Sequence, residues 1–357
     1  MIHWGGEYLK LKDECKYKLE TINLELTTAC PLRCPQCYCS LEGGKHLDYE
    51  TAKMRVDEAS MLGAKILLLS GGETLCYPFL IPLIEYAAGR ISEIRVALSG
   101  WKFDQDTYEK LTTSGVTEIS ISLNGSTEDI NKISRDGYEY SIEALKLLQK
   151  NHYQHTMINW VMHSSNADDF GNIIDLAEQY GVSGILVIGV KPDSNNTLQS
   201  YPSREQMICL SKRIKTYKGN VKILIESCFS NLLAFHSETR LFGNLNVSKY
   251  KGCGAGRNGI SVDVYGRLTP CRHITAIEDI QSMAEYWQSS KYLSALRHME
   301  DNVKEPCRQC KYNPYCLHCA AINWQVNGKI QIGFDQCPVF DQVIPKQCVP
   351  NLSEATG

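Results

Sequence analysis

The chain has 357 residues, enough for two or three domains, and 43% of them are apolar, enough for a sizeable core. Basic residues number 37 against 40 acidic ones, and the net charge of −3 excludes a basic nucleic-acid footprint and a polybasic membrane anchor. Residues 1–7 lack the basic-then-apolar pattern of a secretory signal, and no apolar run reaches the roughly eighteen residues of a membrane span. The expected compartment is a reducing cytoplasm, where the sixteen cysteines read as metal ligands, redox groups or nucleophiles rather than as disulfides.

Residues 21–28 predict a first strand that ends just before a cysteine cluster. Asp48 is placed to cap a helix over 48–62, with Gly63 as its stop. Strands over 65–69, 93–98, 118–123, 156–162 and 184–190 then alternate with helices over 79–88, 104–113, 140–150, 167–180 and 204–215. Six βα units in about 200 residues are the pattern of a parallel sheet covered by helices, and an extra strand is expected over 221–226. Six units do not close an eight-unit barrel. A curved partial (β/α)6 TIM-like barrel fits, as does a doubly wound sheet, and in both the chemistry belongs at the C-terminal strand ends. The suggestive residues fall there: the cysteines after strand one, Ser70-Gly71-Gly72-Glu73 after strand two, Ser99-Gly100 after strand three, and Ser122 with Asn124 ending strand four. Alternation over 260–264 predicts a hairpin strand in the C-terminal part.

The cysteines are unevenly spread, with none between Cys76 and Cys209. Cys30, Cys34 and Cys37 form a CxxxCxxC with Cys39 just beyond, and Cys253, Cys271, Cys307, Cys310, Cys316, Cys319 and Cys337 gather near the end. A structural zinc site takes four protein ligands, usually from paired CxxC knuckles. A four-iron cluster normally takes four thiolates. Three thiolates on one short loop leave one iron open to another ligand.

The CxxxCxxC spacing, its place after the first strand, and Gly71-Gly72-Glu73 after the second resemble the radical S-adenosylmethionine (SAM) superfamily, over roughly residues 21–340. The resemblance implies a [4Fe-4S] cluster on Cys30, Cys34 and Cys37 whose open iron is chelated by SAM. It also implies reductive cleavage of SAM to a 5′-deoxyadenosyl radical that abstracts hydrogen from a substrate, with the protein binding, orienting and excluding water. Gly71 and Gly72 would let the backbone approach the ligand, and Glu73 with neighbouring carbonyls would receive the SAM ammonium group. Ser99 belongs to the same strand-end set. Ser122 and Asn124 resemble the ribose-binding strand end, with Asn124 in place of the usual carboxylate. Arg135 resembles the arginine that meets the methionine carboxylate. An aromatic residue often precedes the third cysteine near adenine; here that position is Gln36, and the aromatic, Tyr38, follows instead.

Gly266-Arg267-Leu268-Thr269-Pro270-Cys271, the CxxCxxxxxCxxC of Cys307, Cys310, Cys316 and Cys319, and Cys337 resemble the SPASM extension of radical SAM enzymes, with Cys316 and Cys319 one residue closer than usual. The resemblance implies two auxiliary clusters, one on Cys307, Cys310, Cys316 and Cys337, the other on Cys253, Cys271 and Cys319. A fourth ligand for the latter is sought in Cys228 or Cys348, or an iron stays open to substrate. Cys228 is also placed to return a hydrogen atom to a substrate radical. Asp136 and Glu226 are conceivable bases by position, and His318 is a loop histidine between two cysteines.

The implied division is an N-terminal segment (1–20), a partial barrel (21–220), a linking strand and helix (221–252), the auxiliary-cluster domain (253–345) and a tail (346–357). The implied activity is radical modification of a ribosomally made peptide by crosslinking, epimerisation or oxidation. The single-domain enzymes of pyrroloquinoline quinone and mycofactocin biosynthesis look most similar. The same chemistry on a tetrapyrrole side chain is the alternative, and a non-catalytic iron–sulfur electron carrier or redox sensor is the alternative of another class. Expected partners are the peptide, a separate leader-binding protein, and a flavodoxin- or ferredoxin-type electron donor. About twenty residues before the first strand are too few for a winged-helix leader grip, which leaves recognition to residues 4–17, the barrel rim or that partner.

Overall fold

A computed structural model describes residues 17–39, 41–191, 200–227, 229, 231–232, 253–301, 303–310, 313, 316, 319–333 and 337. Cys228, His318, Cys348 and residues 1–16 lie outside the described residues.

The predicted alternation is present. Strands β1 (Thr21–Glu25), β2 (Ile66–Ser70), β3 (Glu93–Leu98), β4 (Glu118–Ser122), β5 (Thr156–Met162), β6 (Gly184–Gly189) and β7 (Lys222–Ile225) pair in parallel in chain order. Between them run α1 (Tyr49–Met61), α2 (Leu80–Ala88), α3 (Gln105–Ser114), α4 (Glu128–Ser134), α5 (Tyr138–Lys150), α6 (Phe170–Gln179) and α7 (Arg204–Thr216). Helix α4 is absent from the sequence reading: seven residues are too few to show a helical period.

The strand order is β7-β6-β5-β4-β3-β2-β1-β8-β9. No reversal interrupts the run from β1 to β7, so the doubly wound alternative, which needs a switch point, does not apply. The sheet is open, with β7 and β9 as its terminal strands among the described residues. The hairpin of β8 (Gly259–Val262) and β9 (Leu268–Thr269) is found, but β8 also adds in parallel to β1, so the C-terminal part extends the barrel sheet itself.

Local chemistry explains the boundaries. Asp48 accepts from the Thr51 N–H at 2.9 Å and Asp104 from the Thr107 N–H at 2.9 Å, each satisfying a donor that a helix start leaves open. Ser203 and Gln206 form a reciprocal capping box on α7. The sheet's helix-facing side chains, including Ile22, Leu24, Leu67, Val96, Ile121, Trp160 and Val187, are fully buried, as expected of a parallel sheet covered by helices.

The C-terminal part continues with α8 (Met283–Ser289), α9 (Lys291–Arg297) and α10 (Ala320–Asn327). Buried Arg55 of α1 ties it to the barrel, giving Nε and Nη2 to the Gly266 carbonyl (3.1 and 2.8 Å) and Nη1 to the Gln281 carbonyl (2.7 Å). No described helix is long and apolar enough to cross a membrane.

Candidate functional site

A cavity of about 180 Å³ opens at the C-terminal strand ends. Its walls bring together Cys30, Cys34 and Cys37 after β1, Gly71 and Gly72 after β2, Ser99 after β3, Ser122 of β4, and Arg135 after α4. The lining also includes Asn159 of β5, Lys191 after β6, and Arg272 with His273 after β9. The cavity is therefore shared by the barrel and the C-terminal part.

The cysteine loop is set by backbone contacts to the glycine turn. The Gly72 N–H donates to the Thr27 carbonyl (2.6 Å) and the Glu73 N–H to the Ala29 carbonyl (2.9 Å). A Cβ on Gly72 would stand 2.4 Å from the Ala29 oxygen, and one on Gly71, whose φ is +135°, 2.5 Å from the Thr27 oxygen. The close approach that needs glycine here is to the segment leading into Cys30, whereas the sequence reading assigned it to a ligand.

Glu73 lies behind the cavity wall rather than on it. Its carboxylate accepts from the Leu75 N–H (3.1 Å), the Ser99 N–H (2.9 Å) and the Ser99 hydroxyl. Burial pushes its carboxyl upward, while Ser99, the Leu75 N–H and nearby Arg135 hold the charged form. Glu73 thus braces the β2 and β3 ends against each other.

Asn124 is also buried away from the cavity. Its Nδ2 donates to Ser134 Oγ (2.9 Å), its Oδ1 accepts from the Val161 N–H (3.2 Å), and its carbonyl accepts from Asn166 Nδ2 (2.8 Å). These bonds fasten the ends of β4 and β5, and leave Ser122 as the member of the expected ribose-binding pair on the wall. Tyr38 lines the cavity but packs across to the C-terminal part, 4.6 Å between ring centroids from His273 and 5.3 Å from the Arg272 guanidinium.

The donor set fits an iron–sulfur cluster and SAM. Burial raises the Cys30 thiol to about 11, and Glu73, Cys34 and Cys37 push it further in that direction. Thiols so placed oppose each other's ionisation, a situation that a bound cation reverses. Among the described residues no three His, Cys, Asp or Glu side chains converge on one metal ion. Arg135 Nε is buried without a partner, a donor that an anionic ligand group would satisfy.

The seven C-terminal cysteines are all described: Cys307, Cys319 and Cys337 are buried, and Cys253, Cys271, Cys310 and Cys316 are half-buried. Tyr201, ahead of α7, sits among Cys316, Cys319 and Cys337, and its phenol is held well above its ordinary range, chiefly by burial. Asn231 Nδ2 donates to the Cys337 sulfur at 3.9 Å.

Of the two bases suggested by position, Asp136 accepts from the Arg33 N–H (3.1 Å) at the surface. Glu226 pairs with the cavity-lining Lys191 at 2.7 Å. Sequence reasoning missed Lys191, Arg272 and His273. Lys191 follows a strand end like the other wall residues, while Arg272 and His273 are adjacent to Cys271 and carry no periodic signal.

The radical SAM superfamily model matches residues 24–177, and the iron–sulfur cluster-binding SPASM model matches residues 253–311. An AdoMet-dependent heme synthase of Methanosarcina barkeri is 23% identical over 323 residues, covering 85% of this chain and 92% of that protein. A PqqA peptide cyclase of Ruegeria pomeroyi is 27% identical over 310 residues, covering 80% of this chain and 78% of that protein. The crystal structure of Streptococcus suis SuiB bound to precursor peptide SuiA has a TM-score of 0.74 at 15% identity, over 90% of this chain and 76% of that one. At that identity the likeness establishes the fold.

Proposed function

The chain belongs to the radical SAM superfamily and carries a SPASM domain, and from that premise we propose that it modifies a ribosomally made peptide by hydrogen abstraction. The observation that carries this reading is the shared cavity. Its lining joins three thiols, the glycine turn and Arg135, whose Nε is unsatisfied, to Arg272 and His273 of the C-terminal part. The relationship to a PqqA peptide cyclase and the fold of a protein crystallised with a precursor peptide support a peptide as substrate.

The family's cofactors are SAM, a [4Fe-4S] cluster and auxiliary iron–sulfur clusters. Cys30, Cys34 and Cys37 would hold the first cluster, and Gly71, Gly72, Ser99, Ser122 and Arg135 would flank SAM. When bound, this pair supplies one-electron cleavage of SAM and hydrogen abstraction. The chain's own residues do the rest. Glu73 and Ser99 lock the turn beneath the thiols, Arg135 orients an anionic group, and Tyr38, Arg272 and His273 close the cavity against water. We assign the C-terminal cysteines to two auxiliary clusters: Cys307, Cys310, Cys316 and Cys337 to one, and Cys253, Cys271 and Cys319 to the other. The division at residues 21–220, 221–252 and 253–345 follows these assignments. The clusters require a reducing compartment, the cytoplasm, and an electron donor of flavodoxin or ferredoxin type; a separate leader-binding protein would present the peptide.

A second reading is favoured by the heme synthase, which this chain matches over 92% of that protein's length: the same chemistry on a tetrapyrrole side chain. One experiment separates the two. The protein is reconstituted with iron and sulfide without oxygen, reduced and given SAM, and 5′-deoxyadenosine is quantified with each small peptide encoded beside its gene and, in parallel, with an iron porphyrin carrying propionates. Faster nucleoside formation with a peptide, together with a mass change in it, establishes the first reading. The same response to the porphyrin establishes the second. No nucleoside from iron-replete protein refutes both and favours an electron-transfer role.

A further inference from the structure

We propose that Asn131 is the positioning residue for Arg135, tying the end of β4 to the end of α4 so that the Arg135 guanidinium meets the carboxylate of SAM in a fixed pose. The proposal rests on the cavity being a SAM site. Asn131 is fully buried inside a seven-residue helix, where asparagine is a poor helix former because its amide competes for backbone partners. Here that competition is put to use. The Asn131 Oδ1 accepts from the Asn124 N–H (2.8 Å) and the Gly125 N–H (3.1 Å), while its Nδ2 donates to the Arg135 carbonyl (2.8 Å). The Asn131 carbonyl accepts from the Arg135 N–H (2.7 Å), so one buried residue grips the arginine's main chain at both its donor and its acceptor.

The same turn carries the cysteine loop. The Ser134 carbonyl accepts from the Gln36 N–H (3.1 Å), and Asp136 Oδ2 accepts from the Arg33 N–H (3.1 Å). The thiols and Arg135 are therefore referred to one backbone frame with Asn131 at its centre. Arg135, whose main chain Asn131 holds, lines the cavity, and its Nε is buried without a partner. A bound carboxylate would satisfy that donor.

The test is a double-mutant cycle read as the equilibrium affinity of the reconstituted, unreduced protein for SAM, with no turnover involved. Asn131→Ala should weaken SAM binding about tenfold, the scale of one misplaced charged hydrogen bond. In an Arg135→Gln background the same change should cost nothing further. Asn131→Asp keeps the acceptor for Asn124 and Gly125 while turning an oxygen toward the Arg135 carbonyl. It should show the same loss and the same silence, and it serves if the alanine variant does not fold. A loss that persists undiminished beside Arg135→Gln, or unchanged affinity in both Asn131 variants, overturns the proposal. Wild-type protein that does not bind SAM overturns the underlying functional reading first, and is measured before any variant.

Discussion

Cys30, Cys34 and Cys37 stand half-buried on a cavity wall, whereas Cys307, Cys319 and Cys337 are at most 8% exposed and packed within the hydrophobic core. The first three are positioned by backbone bonds to a glycine turn at a strand end. The C-terminal ones sit on short turns and helix starts, with Cys319 heading α10 and Cys307 opening a single 3-10 turn. A loop held at a strand end can leave one coordination position facing a cavity. Thiols enclosed by a core favour closed sites, as fully ligated structural metal centres do. Burial thus separates the cavity-wall triplet from Cys307, Cys319 and Cys337, whereas Cys253, Cys271, Cys310 and Cys316 are half-buried like the triplet.

The largest way to break that contrast is to remove one thiol from each region. Cys34→Ala should abolish 5′-deoxyadenosine formation, a drop of about a thousandfold or more, and lower bound iron by about four per chain. Cys337→Ala should lose iron and thermal stability while SAM cleavage in the absence of substrate stays within a few fold. Equal loss of cleavage in both variants, measured by nucleoside quantification beside iron analysis, would erase the distinction.

Next comes the turn that sets the open site. Gly72→Ala forces a Cβ against the Ala29 carbonyl, and should destabilise the fold by about 1–3 kcal/mol and slow SAM cleavage about a hundredfold through misplacement of the thiols. Gly89→Ala, with nothing within 4 Å of the added carbon, is the matched control and should leave both unchanged. Thermal melts and cleavage rates of the pair decide it.

A smaller effect is expected at the brace. Ser99→Ala removes one donor from the buried Glu73 carboxylate, shifting that group further toward protonation and costing about tenfold in cleavage rate. A rate equal to wild type across neutral pH would show that Glu73 is held well enough without it.

The smallest effect concerns the seam between the regions. Burial raises Glu25 to about 7, against the pull of Arg272 and Tyr38. That lies above the ordinary carboxyl value of 4.5. The folded state therefore binds the proton more tightly, and this contribution to stability is present at low pH and lost as pH rises through 7. Glu25→Gln should raise the melting temperature at pH 8 and leave it nearly unchanged at pH 5. A gain at pH 5 as large as at pH 8 would contradict this sign.

Much of the cavity wall was legible because it lies at strand ends, and strand ends can be placed from local pattern. The cysteine triplet, Gly71-Gly72, Ser99, Ser122 and Arg135 all reach the cavity wall. Asn124 and Glu73 were placed beside them by the same logic, yet they face inward. Proximity to a strand end fixes where a residue is, but which partners saturate its polar atoms depends on neighbouring strands. Asn131 escaped notice because α4 is only seven residues long, although an asparagine followed four residues later by Arg135 was visible.

By itself the sequence determined the alternation of strands and helices and the grouping of thiols into an early triplet and a late set. Periods of two and 3.6 and the spacing of cysteines are local properties of a chain. Only the tertiary structure decided that the strands follow one another without reversal, that β8 joins β1 from more than 230 residues away, and that Arg272 and His273 complete a cavity begun by Cys30. Those are pairings between distant segments, chosen by which hydrogen-bonding edges and apolar faces can be satisfied together.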